Sequence, residues 1–156
     1  MKIRRADPAD RDAIWKVHVE SVRVLCAGWY SSEQITVWTE RLLPDSYRQA
    51  FERCEMVVAE RNAEVVGFGQ LDLARAEVEA VYVAPTATGG GVGSALLAHL
   101  EAIARERGVR VLGLCASLNA ETFYAHRGYR VRSREKHPLT AVMAVDCVRM
   151  EKALAA

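Results

Sequence analysis

The sequence predicts an α+β fold of three layers, in which a mixed, mostly antiparallel sheet carries helices on both faces. Near residue 55 the spacing of the apolar residues changes from that of helices to that of strands. Three strand-like segments then follow one another with short joins, which is typical of an antiparallel meander. A strong helix separates the last of them from a later buried strand. These two strands should therefore be parallel neighbours joined by a right-handed crossover.

The first 54 residues are expected to contain one short strand followed by helices. Asp7 can accept a hydrogen bond as an N-cap, and Pro8 suits the first position of a helix. Pro44 cannot continue a helix and should end the second one. The expected elements are a strand over residues 2–6, a helix from residue 7 to near residue 28, a helix from residue 31 or 32 to residue 44, and a short helical piece over residues 46–51.

From residue 55 onward strands dominate, with two helices between them. Asn62-Ala63 joins the first two strands as a turn, Pro85 ends the third, and Gly108 is the expected C-cap of the long helix. The expected elements are strands over residues 56–59, 65–69 and 77–84, a helix over residues 91–107, a strand over residues 109–116, a short helix over residues 119–126, and strands around residues 129–133 and 142–151.

With 156 residues the chain is expected to form one domain, residues 1–156. Its formal net charge of +1 disfavours a nucleic-acid partner, because such partners require a basic surface. The four cysteines are scattered, without the paired spacing of a zinc or redox site, so no metal is expected. No apolar segment follows the basic N-terminus, and none is long enough to span a membrane. These features favour a cytoplasmic protein without a membrane partner.

A run of glycines, Gly89-Gly90-Gly91-Val92-Gly93, lies between the third strand and the long helix. Glycines allow several N–H groups to approach a ligand without a Cβ in the way, and the first turn of a helix adds unpaired N–H groups and a partial positive charge. This combination favours a phosphate site. The run lacks the Gly-Lys-Ser/Thr ending of a P-loop and the glycine spacing of a Rossmann fingerprint, so a pyrophosphate site of another kind is indicated.

The glycine run and the strand before it resemble the GCN5-related N-acetyltransferase (GNAT) superfamily. The coenzyme motif of that family is Gln/Arg-x-x-Gly-x-Gly/Ala, placed between a strand and a helix. Gly91-Val92-Gly93 matches its end, and the preceding strand ends in the typical Tyr-Val-x-Pro. Thr88 occupies the position of the Gln or Arg, which is a departure from the motif.

The resemblance extends over nearly the whole chain. Residues 116–129 resemble the second signature of the family, with Tyr124 four residues before Gly128. Ser117 stands where an asparagine is usual, and Asn119 is displaced by two positions, which is a second departure. Residues 30–38 and 150–154 resemble one bacterial subgroup of the superfamily.

The resemblance implies an N-acetyltransferase whose co-substrate is acetyl-CoA and whose acceptor is a primary amine of a small molecule or peptide. Direct attack in a ternary complex is the usual mechanism of the family, and homodimers are frequent in it. The coenzyme is expected to enter between the third strand and the strand after the long helix, which splay apart. A non-catalytic acyl-CoA sensor is the alternative. The residues implied to contact the coenzyme are Val81, Tyr82, Val83, Thr88, Gly89, Gly90, Gly91, Val92, Gly93, Ser94, Asn119 and Phe123.

Tyr124 is the expected general acid, because a thiol and a phenol have reference pKa values of about 8.5 and about 10 and can exchange a proton. Glu79 is the expected base, with Glu77 as second choice. Strand alternation would place both glutamates on the face opposite Tyr82. The residues expected to line the acceptor site are Trp29, Tyr30, Trp38 and Glu77. The carboxylates at positions 72, 77 and 79 hint at a cationic acceptor.

Overall fold

The computed structural model describes residues 1–155, which contain seven strands in one sheet and five α-helices. The strands are β1 (Lys2–Arg5), β2 (Glu55–Arg61), β3 (Glu64–Asp72), β4 (Glu77–Val83), β5 (Val111–Ser117), β6 (Arg130–Pro138) and β7 (Ala144–Ala153). The helices are α1 (Arg11–Leu25), α2 (Ser32–Glu40), α3 (Arg48–Arg53), α4 (Val92–Glu106) and α5 (Glu121–Ala125).

The strands lie in the order β1-β2-β3-β4-β5-β7-β6. Within residues 1–155 every neighbouring pair is antiparallel except β4 and β5, which are parallel and joined through α4. The predicted meander, crossover and mixed α+β class are therefore confirmed. No helix in this part of the chain is long and apolar enough to cross a membrane.

The two long helices cover opposite faces of the sheet. On β3, a Cβ added to Gly69 would lie 2.9 Å from Leu100 Cδ1, so this face packs closely against α4. The preceding residue of the strand, Phe68, points to the other face, where its ring centroid lies 5.5 Å from that of His18 in α1. The core lies between the sheet and these helices. Its largest fully buried side chains include Ile14, Phe68, Leu71, Leu96, Leu97 and Leu100.

The predicted helix starts carry side-chain caps. The Asp7 carboxylate accepts a hydrogen bond of 2.8 Å from the Ala9 N–H, in a short 3-10 turn that leads into α1. At the start of α2, the Ser31 hydroxyl accepts from the Gln34 N–H at 3.0 Å, and the Gln34 side chain accepts from the Ser31 N–H at 2.9 Å. This reciprocal pair fixes where α2 begins.

Several predicted boundaries differ from the observed ones by three residues or more, among them the end of β3 and both ends of α1. Two of the differences have a clear local reason. The second helix ends at Glu40 instead of residue 44, because Leu43 precedes a proline and is extended, with φ −126° and ψ 156°. The sixth strand was expected over residues 129–133 but runs from Arg130 to Pro138. All nine of its residues are exposed, so no alternation of apolar residues marks its length. Hydrogen bonds to β7 hold it at the edge of the sheet.

Candidate functional site

The strands β4 and β5 pair over only two residues and then separate. Their register joins Glu77 to Gly113 and Val78 to Leu114, and no further pair follows although both strands continue. A narrow gap opens between them, bordered by residues 79–82 of β4 and residues 115–117 of β5 and closed by Ala120 and Tyr124. The predicted splay is confirmed. Backbone groups that would otherwise pair across the two strands are left available to an extended ligand arm.

The glycine turn leads from β4 into α4. Gly89 and Gly91 have φ values of +81° and +80°, a region that favours glycine, and Gly91 is the N-cap of the helix. Within residues 1–155, none of the N–H groups from Thr88 to Ser94 donates a hydrogen bond to another group of the protein. The turn therefore presents a row of free donors at the positive end of a 15-residue helix.

The other predicted coenzyme residues surround this turn and the gap. Val81 and Tyr82 border the gap. A Cβ at Gly93 would lie 3.2 Å from the ring of Phe123 and 3.6 Å from Val83, so the bare glycine allows α5 and β4 to approach α4. The side chains of the remaining two, Thr88 and Asn119, form hydrogen bonds within the protein. The Thr88 hydroxyl donates to the Pro85 carbonyl at 3.0 Å, and the Asn119 side-chain oxygen accepts from the Cys26 thiol at 3.4 Å.

Tyr124 closes the end of the gap. Its side chain is 6% exposed and packs edge-on against Phe123 and Tyr129, with ring centroids 5.0 and 5.6 Å apart. Burial raises the pKa of the Tyr124 phenol well above its ordinary value, and no hydrogen bond from residues 1–155 offsets this effect. The phenol is thus protonated at neutral pH, as a proton donor must be.

Glu79 occupies a β-bulge. On β3, Gln70 lies opposite Ala80 and the next residue, Leu71, lies opposite Val78, which leaves Glu79 as an extra residue on β4. Strand alternation is broken there, so the expectation that Glu79 faces away from Tyr82 was wrong. Both side chains border the same cavity, and the Gln70 amide donates to the Glu79 carboxylate at 3.4 Å.

The pKa of Glu79 is raised by partial burial and, to a smaller extent, by the carboxylates of Asp72 and Glu77. Glu77 differs in its surroundings, because it forms an ion pair with Arg149. The Arg149 guanidinium thus occupies the carboxylate that an amine would have to approach. Of the two glutamates, Glu79 is therefore the better candidate base.

A cavity of about 620 Å³ lies beside the gap, between β4, β5, β7 and the N-terminal helices. It brings together three of the four residues predicted to line the acceptor site, Tyr30, Trp38 and Glu77, together with Glu79 and Tyr82. The fourth, Trp29, lies outside the lining and is 57% exposed. Tyr30 also has a structural role, since its hydroxyl donates to the Asp146 carbonyl at 2.6 Å and accepts from the Leu118 N–H at 2.9 Å.

Sequence reasoning missed a buried pair in this cavity. The His18 ring packs at a tilt against Tyr82 with centroids 4.2 Å apart, and its Nδ1 lies 2.8 Å from the Tyr47 hydroxyl. Burial lowers the pKa of His18 to about 3, so its imidazole is neutral. A single histidine on a helix face carries no spacing signal, and its partner lies 29 residues away.

Two cysteines also lie in the lining of the cavity. Cys115 and Cys147 are free thiols on the adjacent strands β5 and β7, with their sulfur atoms 2.7 Å apart. Cys115 is exposed as a residue, but partial burial of its thiol in the cavity wall, followed by the contact with Cys147, raises its pKa to about 12. The Cys115 side chain is therefore a thiol at neutral pH and a poor nucleophile.

The splayed strands border both the gap, where the candidate acid Tyr124 lies, and the larger cavity, where the candidate base Glu79 lies. The glycine turn with its free donors directly follows β4. Residues 26–154, most of the chain, match the family model described as the acetyltransferase (GNAT) domain. The chain belongs to the GNAT acetyltransferase family. The resemblance seen in the glycine run and in the second signature is thereby confirmed. The assignment of roles to individual residues stays a prediction.

Solved structures of GNAT proteins share this fold. A GCN5-related N-acetyltransferase from Rhodopseudomonas palustris is 28% identical, with a TM-score of 0.92, and the match covers 98% of this chain and 95% of that one. A ribosomal-protein-alanine N-acetyltransferase from Brucella melitensis is 30% identical, with a TM-score of 0.73 and coverage of 99% and 100%. YncA from Salmonella typhimurium, solved with its cofactor acetyl-CoA, is 25% identical, with a TM-score of 0.70 and coverage of 99% and 94%.

A sequence comparison with curated proteins found no match. Among residues 1–155 of this GNAT chain, no group of three or more His, Cys, Asp or Glu side chains is arranged to hold a metal ion.

Proposed function

We propose that this chain is an acetyl-CoA-dependent N-acetyltransferase that acetylates a primary amine of a small molecule or peptide. The observation that carries the proposal is the separation of β4 and β5: the gap between them shares Glu79 and Tyr82 with the larger cavity, and the turn with its free N–H groups directly follows β4. A thioester coenzyme in which an extended pantetheine arm separates a charged diphosphate from a reactive acyl group fits this arrangement. The acetyl-CoA held by YncA, a relative with the same fold, supports this proposal.

The coenzyme would bind through its diphosphate and its pantetheine arm. The diphosphate would accept hydrogen bonds from the N–H groups between Thr88 and Ser94, where the helix dipole also favours negative charge. The pantetheine arm would lie along the unpaired edge of β4 and pair with backbone groups near Val81 and Val83. A free N–H of this strand would then stabilise the oxyanion that forms at the thioester carbonyl.

The transfer would proceed by direct attack of the amine nitrogen on the acetyl carbonyl carbon. The new C–N bond forms as the carbonyl oxygen becomes an oxyanion, and collapse of this intermediate breaks the C–S bond. Glu79, directly or through water, would take the proton that the amine must lose. Tyr124 would donate a proton to the departing thiolate, so that free coenzyme A and the N-acetylated amine are the products.

Two properties of the site support these roles. The raised pKa of Glu79 makes it a stronger base than an ordinary glutamate while it remains ionisable. Tyr124 is protonated because of its burial, and it borders the gap in which the thioester would lie. The thiol at Cys115, with its pKa of about 12, supports transfer without an acetyl-enzyme.

The test is a panel of primary amines incubated with the purified protein and acetyl-CoA. Free thiol should appear in proportion to the N-acetylated amine identified by mass spectrometry. Binding of acetyl-CoA, seen as thermal stabilisation, without release of coenzyme A for any amine would favour the sensor alternative. If acetyl-CoA produces no thermal stabilisation and no amine is acetylated, the proposal is contradicted.

A further inference from the structure

The charged side chains around the acceptor cavity restrict the kind of amine that can bind there. Half of them are already paired. Glu77 forms an ion pair with Arg149, and Asp146 forms one with Lys136 at 2.7 Å. These carboxylates offer little free negative charge to a ligand, although the sequence alone counts Glu77 in favour of a cationic acceptor.

Three charged side chains of the lining have no ion-pair partner within residues 1–155: Glu79, Arg53 and Arg75. Arg53 is the last residue of α3, and Arg75 lies in the turn between β3 and β4. The Gln70 amide links this region, because it lies 3.4 Å from the Glu79 carboxylate and 3.7 Å from the sulfur of Cys54, the residue after Arg53. Both guanidinium groups favour the ionised form of Glu79, although burial and the neighbouring carboxylates outweigh them. One negative and two positive charges thus face the same end of the cavity.

A ligand that complements this end carries an amino group and an anionic group close together. The amine would lie at Glu79, and the anion would accept hydrogen bonds from one or both arginines, whose planar guanidinium groups suit a carboxylate. In an α-amino acid both groups are attached to one carbon, so they fit within a few ångströms. A diamine would place a second cation against two arginines and is disfavoured by like-charge repulsion.

One part of the cavity wall is apolar and aromatic. Tyr30 and Trp38 meet edge to face with centroids 5.5 Å apart, and Leu42 and Val145 complete this part of the lining. A surface of this kind accommodates an apolar or aromatic side chain.

We propose that the acceptor is an α-amino acid or a close relative with an apolar side chain, bound with its amine at Glu79 and its carboxylate at Arg53 and Arg75. This inference rests on the proposed N-acetyltransferase function and specifies its substrate class. It predicts that the carboxylate, as well as the amine, is required for efficient transfer.

The experiment compares acceptors that differ only in the carboxylate. L-phenylalanine is tested against 2-phenylethylamine and L-phenylalaninamide, L-leucine against 3-methylbutylamine, and 1,4-diaminobutane is included as a dication. Each amino acid should have a kcat/KM about 10- to 100-fold above its decarboxylated and amide partners, as expected for a charge-assisted pair with arginine.

Arginine variants then test where the carboxylate of the amino acid binds. Arg53→Met and Arg75→Met remove a guanidinium and keep a long side chain. They should raise the KM for the amino acid several-fold or more, with little effect on kcat or on the decarboxylated amine. Arg48→Met is the matched control, because Arg48 lies on the same helix but outside the lining and near Asp45, at 3.8 Å.

The outcomes separate the inference from the function on which it rests. Equal or better turnover of the decarboxylated amines, the amides or the diamine would overturn the inference and leave the N-acetyltransferase in place. A preference for the carboxylate that survives loss of both arginines would overturn their assignment. If no amine is acetylated, the proposed function fails and the inference with it.

Discussion

Arg127 donates a hydrogen bond from Nε to the Ser94 hydroxyl at 2.9 Å, and Ser94 lies in the first turn of α4. A second bond, from Nη1 to the Phe123 carbonyl, is 2.9 Å long, and the guanidinium carbon lies 3.9 Å from the centre of the Phe123 ring. Among residues 1–155, no carboxylate forms an ion pair with Arg127. A fixed positive charge therefore stands beside the glycine turn, where Thr88 provides none.

Replacement of Arg127 by methionine should weaken acetyl-CoA binding about tenfold, because a charge-assisted contact to phosphate would be lost. Methionine retains a long side chain over the Phe123 ring. Binding is measured by calorimetry with acetyl-CoA and with S-acetylpantetheine, which lacks the diphosphate. The expected loss appears only with acetyl-CoA. An equal loss with both thioesters would contradict the prediction, and Arg130→Met, at an exposed arginine, serves as the control.

Tyr124→Phe should lower kcat about 100-fold and leave acetyl-CoA affinity unchanged, because it removes the proton donor but retains the ring packing. The measurement is steady-state kinetics with the best acceptor of the panel, together with a dissociation constant for acetyl-CoA. A kcat within about threefold of the unsubstituted protein would rule out Tyr124 as the general acid.

The pH dependence of transfer should report Glu79. A base acts when deprotonated, so kcat/KM should rise with pH as Glu79 loses its proton, and its raised pKa places this rise above the usual range of a glutamate. Glu79→Gln should remove that rise and lower kcat/KM about 100-fold at neutral pH. The ionisation of the amine substrate gives a separate rise at higher pH in both proteins.

The control for this profile is Glu64→Gln, at an exposed carboxylate at the start of β3. This variant should keep the rise of kcat/KM that is assigned to Glu79. If Glu79→Gln also keeps this rise of kcat/KM, another group acts as the base.

The Cys115 thiol should take no part in the transfer. Its pKa of about 12 leaves almost no thiolate at neutral pH. Cys115→Ser should therefore retain kcat within about threefold, and the intact mass of the unsubstituted protein with acetyl-CoA alone should show no acetyl adduct. An adduct that disappears in Cys115→Ser would instead indicate a covalent intermediate.

The parts of the site that the sequence predicts are those set by local backbone requirements. The glycine turn is recognisable because free N–H groups and positive φ values at Gly89 and Gly91 require residues without a side chain. The order of strand, turn and helix likewise predicts the parallel pair β4 and β5.

Features that depend on contacts between distant segments could not be predicted. The bulge that turns Glu79 into the cavity arises from the pairing of β4 with β3. The residue sequence of β4 contains no signal that predicts it. The ion pair between Glu77 and Arg149 joins residues 72 positions apart. This ion pair neutralises a carboxylate that the sequence alone counts in favour of a cationic acceptor.

Tyr30 offers a test of the framework around the cavity. Its hydroxyl joins the start of α2 to β7 and to the segment after β5, through the Asp146 carbonyl and the Leu118 N–H. Tyr30→Phe leaves the buried N–H and carbonyl without this partner, which should cost about 1–3 kcal/mol of unfolding free energy. For a domain of this size each kcal/mol lowers Tm by about 2–4 °C, which calorimetry resolves.

The matched control is Tyr124→Phe, because the Tyr124 hydroxyl makes no hydrogen bond within residues 1–155 and its loss should leave Tm nearly unchanged. The two variants should thus behave oppositely, with stability lost at Tyr30 and catalysis lost at Tyr124. A Tyr30→Phe protein as stable as the unsubstituted one would contradict the structural role of that hydroxyl. Its ring would then matter only as part of the cavity wall.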